Sequence, residues 1–186
     1  MRDLFGESDR HEAGGKVKTR LLPGVKGDAK FAGKRDEYRP VLRRWRGEKF
    51  PDEYAVFIGM NPSTAEAAIN DPTITREWSF TEREGLAGYV KCNVADYRAT
   101  YPSDLLAPGL VLRSEENLKT ILALAEGAKL VVACWGSVNK ALRPLADETA
   151  AALRDAGVQL KCFGLTANGS PKHPVRLAGV TPLISF

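Results

Sequence analysis

The sequence predicts an α/β fold, a three-layer sandwich around a mainly parallel central sheet. Three observations predict it. Four nearly apolar runs, at 54–59, 88–94, 128–135 and 158–163, have the continuous hydrophobicity of strands covered on both faces. Stretches with helical period or helix caps lie between these runs, and alternating strands and helices favour parallel pairing. No internal repeat or linker divides the 186 residues, a length that suits one core.

Residues 1–37 are rich in Gly, Lys, Asp and Glu and show no sustained apolar period. They read as a flexible basic leader ahead of a single domain over 38–186. Order is expected from Tyr38, and residues 38–45 read as an edge strand because Pro40 lacks an N–H. The run Tyr54-Ala55-Val56-Phe57-Ile58-Gly59 follows as a buried strand. Asp71-Pro72 supplies an N-cap and a proline at the first helical position, opening a helix that runs to Glu84. The run from Gly88 to Val94 is the next strand. Beyond Ser114, the residues Leu118, Ile121, Leu122 and Ala125 make one helical face. Ala128 to Trp135 forms the third buried strand. Residues 137–156 are helical in composition, with Pro144 expected to break or restart the helix and Gly157 to close it. The last run, 158–163, alternates more and is placed nearer an edge.

Composition narrows the class of protein. Apolar residues make up 44% and charged residues 27%, and no apolar run approaches the roughly 18–20 residues of a membrane span. The polar start Met1-Arg2-Asp3-Leu4 does not read as a signal peptide, so a cytoplasmic protein without membrane contact is expected. The net charge is +4, with +6 in residues 1–50 and −2 in the remainder. A basic arm beside a near-neutral body suits contact with a polyanion, as it does in many unrelated basic proteins. Cys92, Cys134 and Cys162 are far apart and form no C-x-x-C, so they read as buried reduced thiols. No metal or cofactor is expected, since neither phosphate-cradling glycine motif nor His-Glu-x-x-His occurs.

In an open α/β sheet, ligands bind beyond the carboxyl ends of the strands. The chemically unusual residues cluster at those ends: Met60-Asn61-Pro62-Ser63 after the first buried run, Asn93 and then Asp96-Tyr97-Arg98 after the second, and Trp135-Gly136 after the third. Thr166 to Pro174 follows the fourth, with His173 inside it. Each has a plainer reading. Ser63-x-x-Glu66 has the form of a capping box, and Asp71 suits a helix cap better than a catalytic carboxylate. Asn93 is as suited to bonding a loop backbone as to reading a ligand, and a solitary His is more often structural.

Together the stretches carry a resemblance. Gly59-Met60-Asn61-Pro62, then Asn93, then His173-Pro174 resembles the uracil-DNA glycosylase superfamily in order and spacing. Within it, the first motif is similar to that of the mismatch-specific branch, which carries Asn where classical members carry Asp. The chain from Tyr38 to Leu183 is also similar to the family catalogued as domain of unknown function 1643. That similarity rests on Ile58 to Ala65, Asp71-Pro72-Thr73, Tyr97-Arg98-Ala99-Thr100, Trp135-Gly136, and Gly164 through Pro174.

The resemblance implies a uracil-DNA glycosylase-like fold and roles by position. Asn61 would orient the water, His173 would donate to the carbonyl oxygen of the departing base, and Asn93 would read the base edge. An aromatic ring stacks on the base in such enzymes, and Trp78, Phe80 and Tyr97 are its candidates. The His-Pro motif continues here as Val175-Arg176-Leu177, which offers Arg176 to a phosphate and Leu177 as a wedge. Asp71 and Arg98 have no glycosylase counterpart and are expected at the rim, in contact with substrate. The leading expectation is an N-glycosidic hydrolase acting on a nucleobase, modified or not, in DNA. Two alternatives stand beside it: a module that binds a base or nucleotide without cleaving it, and an enzyme on free modified nucleotides.

Overall fold

The computed structural model describes residues 18–186. The part of the basic leader at 1–17 lies outside the described residues. Its remainder is not a leader. Residues Thr19–Arg20 form β1, and Val25–Ala32 form β2, which is the outer strand of the main sheet. Strand β2 pairs antiparallel with β3 (Tyr38–Arg46), and Val25 is 8% exposed. Its small and charged residues hide that role, because an edge strand buries only part of its length.

The remaining strands are β4 (Ala55–Gly59), β5 (Ile69–Asn70), β6 (Gly88–Asn93), β7 (Leu130–Ala133), β8 (Leu160–Cys162) and β9 (Ile184–Ser185). Strands β1 and β5 pair with each other, and the other seven make one sheet in the order β2-β3-β6-β4-β7-β8-β9. The sheet is mixed, which corrects the expectation of a mainly parallel one. Neighbours among β6, β4, β7 and β8 run parallel, whereas β2–β3, β3–β6 and β8–β9 are antiparallel. The flanking strands are short or alternate in burial, so they lack the continuous apolar signature of the parallel ones.

Strand β3 is also not an edge. It lies between β2 and β6, and Pro40 is accommodated because the β2 register slips between Lys30 and Ala32 while pairing to β6 starts only at Leu42. The missing N–H therefore falls outside the regular ladder.

Helix α1 (Pro72–Arg83) opens as its sequence dictates, with Asp71 Oδ1 accepting the Ile74 N–H at 2.9 Å and Pro72 in the first turn. Gly85, at φ 73°, ends it. Helix α2 (Asn117–Glu126) starts slightly later than expected, and α3 (Arg143–Asp155) has Pro144 in its first turn, so that proline starts the helix rather than breaking it. No helix follows Ser63; Glu66 instead bridges to Ile69 across a tight turn.

Helices cover both faces of the sheet. Ile74, Trp78 and Phe80 of α1 pack with Phe57, Tyr89, Val132 and Phe163 on one face. On the other, Ile121, Ala125, Ala146 and Leu153 of α2 and α3 pack with Val56, Ile58, Val90 and Cys92. Successive residues of β4 and β6 thus alternate between the two cores. That parity puts Lys91 and Asn93 on the α1 face, beside Tyr89. Among the described residues no helix is long and apolar enough to cross a membrane, and no cluster of His, Cys, Asp and Glu could hold a metal.

Candidate functional site

A pocket of about 380 Å³ opens at the carboxyl ends of β4 and β6, beneath the start of α1. Its size is that of small-ligand sites. The wall includes Asn61, Asn93, His173, Asp71 and Arg176, so five of the side chains singled out in the sequence come together there. Arg39, Gly59, Ser63, Lys91 and Trp135 complete much of the rest.

Asn93 is the most informative of these residues. It is fully buried at the end of β6, yet neither its Nδ2 nor its Oδ1 has a hydrogen-bond partner among the described residues. Leaving a buried amide unbonded costs about 1–3 kcal/mol per group, so both atoms call for a partner. The neighbouring strand leaves the space for it: a Cβ on Gly59 would lie 2.9 Å from Asn93 Oδ1 and 2.7 Å from Lys91 Nζ.

Asn61 is held differently. Its Nδ2 donates to the carbonyls of Ala99 at 2.8 Å and Pro62 at 3.1 Å, so only Oδ1 remains to accept a bond from a ligand or water. The loop that carries it is fixed by buried arginines. Arg39 donates to the Ala65 carbonyl, and Arg44 binds Asn70 Oδ1 at 2.7 Å and the Ile69 carbonyl at 2.9 Å. Burial pushes the Arg39 guanidinium down to about 10, against the pull of Asp71. Ser63 Oγ and Arg39 Nε are further buried polar atoms with no partner among the described residues, and both residues line the pocket.

His173 caps a short 3₁₀ turn, Pro174–Arg176, where its Nδ1 accepts the Val175 N–H at 3.4 Å. A neutral imidazole held this way carries its proton on Nε2, as a donor. Close approach of this loop depends on Gly136, at φ 77°, where a Cβ would come within 3.1 Å of His173 Cβ. The loop is tied to α1: Arg76 donates to the Leu177 carbonyl and Arg83 to that of Gly179 at 2.9 Å, with both guanidinium groups 4.9 Å from the Phe80 ring centre.

Arg98, Leu177 and the three candidate stacking rings are elsewhere. Arg98 is 2% exposed and bonds Glu66 Oε1 at 3.0 Å and the Asp36 carbonyl at 3.2 Å, clamping the Asn61 loop to the β2–β3 turn. Its position after β6 aims it back at the sheet edge. Trp78 is 1% exposed in the core against Tyr89, because its helical position faces the sheet rather than the mouth. Phe80 packs 4.3 Å from Phe163, and Tyr97 packs edge-on against Tyr38 at 5.7 Å. The aromatic ring at the pocket wall is Trp135 instead. Leu177 is half-buried against the α1-side core. Asp71 lines the pocket while serving as the helix cap.

A buried pair not among the sequence candidates lies at the floor. Lys91 bonds Glu77 of α1 and lies 3.8 Å from Cys134 Sγ, which is in turn 3.7 Å from Glu77 Oε1. Burial pushes the Glu77 carboxyl up, against the attraction of Lys91. For Lys91, burial works against the charge, and the carboxylate of Glu77 bonded to it supports the ammonium. Burial also pushes the Cys134 thiol up to about 12, so it is protonated and unreactive. The signal was present: a lysine inside an apolar strand needs an acid on the element that covers it.

A family model described as "Protein of unknown function (DUF1643)" matches residues 39–175. The match begins at Arg39 and ends at Val175, both of which line the pocket. No curated protein and no solved structure matches the chain.

Proposed function

The chain belongs to the DUF1643 family of proteins of unknown function, and we propose that its pocket receives a nucleobase extruded from DNA and hydrolyses the bond that attaches it. The observation that carries this reading is Asn93, wholly buried with both amide atoms unbonded among the described residues. A planar base edge with a donor and an acceptor side by side would satisfy both at once. The uracil-DNA glycosylase resemblance of the Asn61, Asn93 and His173 motifs, and a related fold, belong to the same proposal.

Water, held by Asn61 Oδ1, adds its oxygen to C1′ of the sugar as the C1′–N bond breaks. The electron pair of that bond leaves with the base, and His173 Nε2–H donates to the base oxygen on which negative charge builds. Among the described residues Asp71 is the one carboxylate at the wall, so it is the group able to accept the water's proton. The products are the free base and an abasic sugar. Trp135 offers the aromatic surface, and Arg176 at the mouth suits a flanking phosphate.

Oligonucleotides bearing uracil, mismatched thymine, hydroxymethyluracil or an alkylated base test this directly. Alkali-labile abasic sites are expected with at least one of them and are expected to vanish in Asn93→Ala. Binding of such DNA without any cleavage would support recognition alone, the reading favoured by the tethered Asn61 amide, which cannot take a proton. Absence of binding and cleavage alike would refute both.

A further inference from the structure

An asparagine amide can turn over, presenting its donor and acceptor in either order, so Asn93 alone cannot tell a keto–imino edge from an amino–imine edge. The floor of the pocket removes that freedom. Lys91 and Asn93 are two residues apart on β6 and project onto the same face, where both crowd the bare Cα of Gly59: a Cβ there would lie 2.7 Å from Lys91 Nζ and 2.9 Å from Asn93 Oδ1. The ammonium attracts the amide oxygen and repels the amide N–H₂, which keeps Oδ1 on the Lys91 side. Glu77 and Cys134 take two of the three Lys91 N–H groups, and the third has no partner among the described residues.

We propose that Lys91, anchored by Glu77, is a positioning residue that locks the orientation of the Asn93 amide and thereby sets which base edge the pocket accepts. The inference rests on the base-reading function proposed above. Along the floor the order is donor (Lys91 Nζ), acceptor (Asn93 Oδ1), donor (Asn93 Nδ2). Its complement is acceptor–donor–acceptor, the edge of a cyclic imide, in which one N–H lies between two carbonyls. Uridine presents this edge. Cytidine presents an acceptor where the imide has its N–H, which would face Oδ1 with two lone pairs opposed.

The test is titration calorimetry of the full chain with uridine and cytidine as free nucleosides. The wild type is expected to prefer uridine by about tenfold or more. Because Lys91→Met alone strands a buried carboxylate, the informative variant is Lys91→Met with Glu77→Leu, which removes both charges from the interior together. In it the preference should fall to within about twofold, since the amide is free to turn and meet either edge. Glu77→Gln keeps an oxygen to anchor the ammonium and should retain the preference, which a merely structural role for the pair would not require. A preference unchanged in the folded double variant, or a wild-type preference for cytidine, overturns the role of Lys91 while base reading stands. Failure of the wild type to bind either nucleoside overturns this inference, and binding untouched by Asn93→Ala overturns the base-reading function with it.

Discussion

Gly59→Ala is the smallest change that tests how tightly the pocket floor is built. The new methyl carbon would lie 2.7 Å from Lys91 Nζ and 2.9 Å from Asn93 Oδ1, well inside contact distance. Neither neighbour can retreat freely, because Lys91 is bonded to Glu77 and Asn93 is fully buried on the adjacent strand. Overpacking of this kind costs about 1–3 kcal/mol. Alanine recovers about 0.4–1 kcal/mol by restricting the unfolded chain, so the net loss is on the order of 1–2 kcal/mol. In a chain of this size each kcal/mol lowers Tm by about 2–4 °C, which puts the expected drop at about 2–8 °C. Gly85→Ala is the control: a Cβ there meets nothing within 4 Å, and only its φ of 73° is strained. Thermal melts followed by circular dichroism, paired with nucleoside titration, separate the two. Gly85→Ala should lower Tm and leave binding alone, whereas Gly59→Ala should abolish binding as well. A Gly59→Ala protein with wild-type Tm and wild-type binding would refute the close packing of Gly59, Lys91 and Asn93.

Other outcomes follow from the same geometry. Lys91→Met alone should cost about 3–5 kcal/mol in urea unfolding by stranding Glu77, while the double change with Glu77→Leu should be near neutral; equal losses would deny that the two act as a pair. Asp71→Ala should cost about 0.5–2 kcal/mol as a lost helix cap and Asp71→Asn much less, and a cleavage assay on Asp71→Asn then shows whether the carboxylate also takes the water's proton. If cleavage occurs, His173→Ala should raise its barrier by about 2–4 kcal/mol with base binding largely kept; an equal loss of binding would make His173 a ground-state contact. Phe80→Ala should destabilise by about 3–5 kcal/mol and, by loosening Arg76 and Arg83, weaken the hold on the His173 loop, a change visible as faster amide exchange at 177–181.

Much of this protein is written locally. Continuous apolar runs marked β4, β6, β7 and β8, and the pair Asp71-Pro72 marked the start of α1, because burial pattern and helix caps depend on neighbours in sequence. Polar residues at the ends of those strands placed Asn61, Asn93 and His173 at one sheet edge, since side chains that follow parallel strands share that edge. What lies across space was decided only by the tertiary structure. The antiparallel flanks depend on pairing partners distant in sequence, and β2 has no apolar run to announce it. Arg98 and Trp78 look like ligand contacts in isolation, yet strand direction and helix phase turn one toward Glu66 and the other toward Tyr89. Lys91 shows the difference most clearly. Its charge is plain in the sequence, but its meaning comes from a carboxylate fourteen residues earlier and a glycine on the neighbouring strand, brought within contact by register and packing alone.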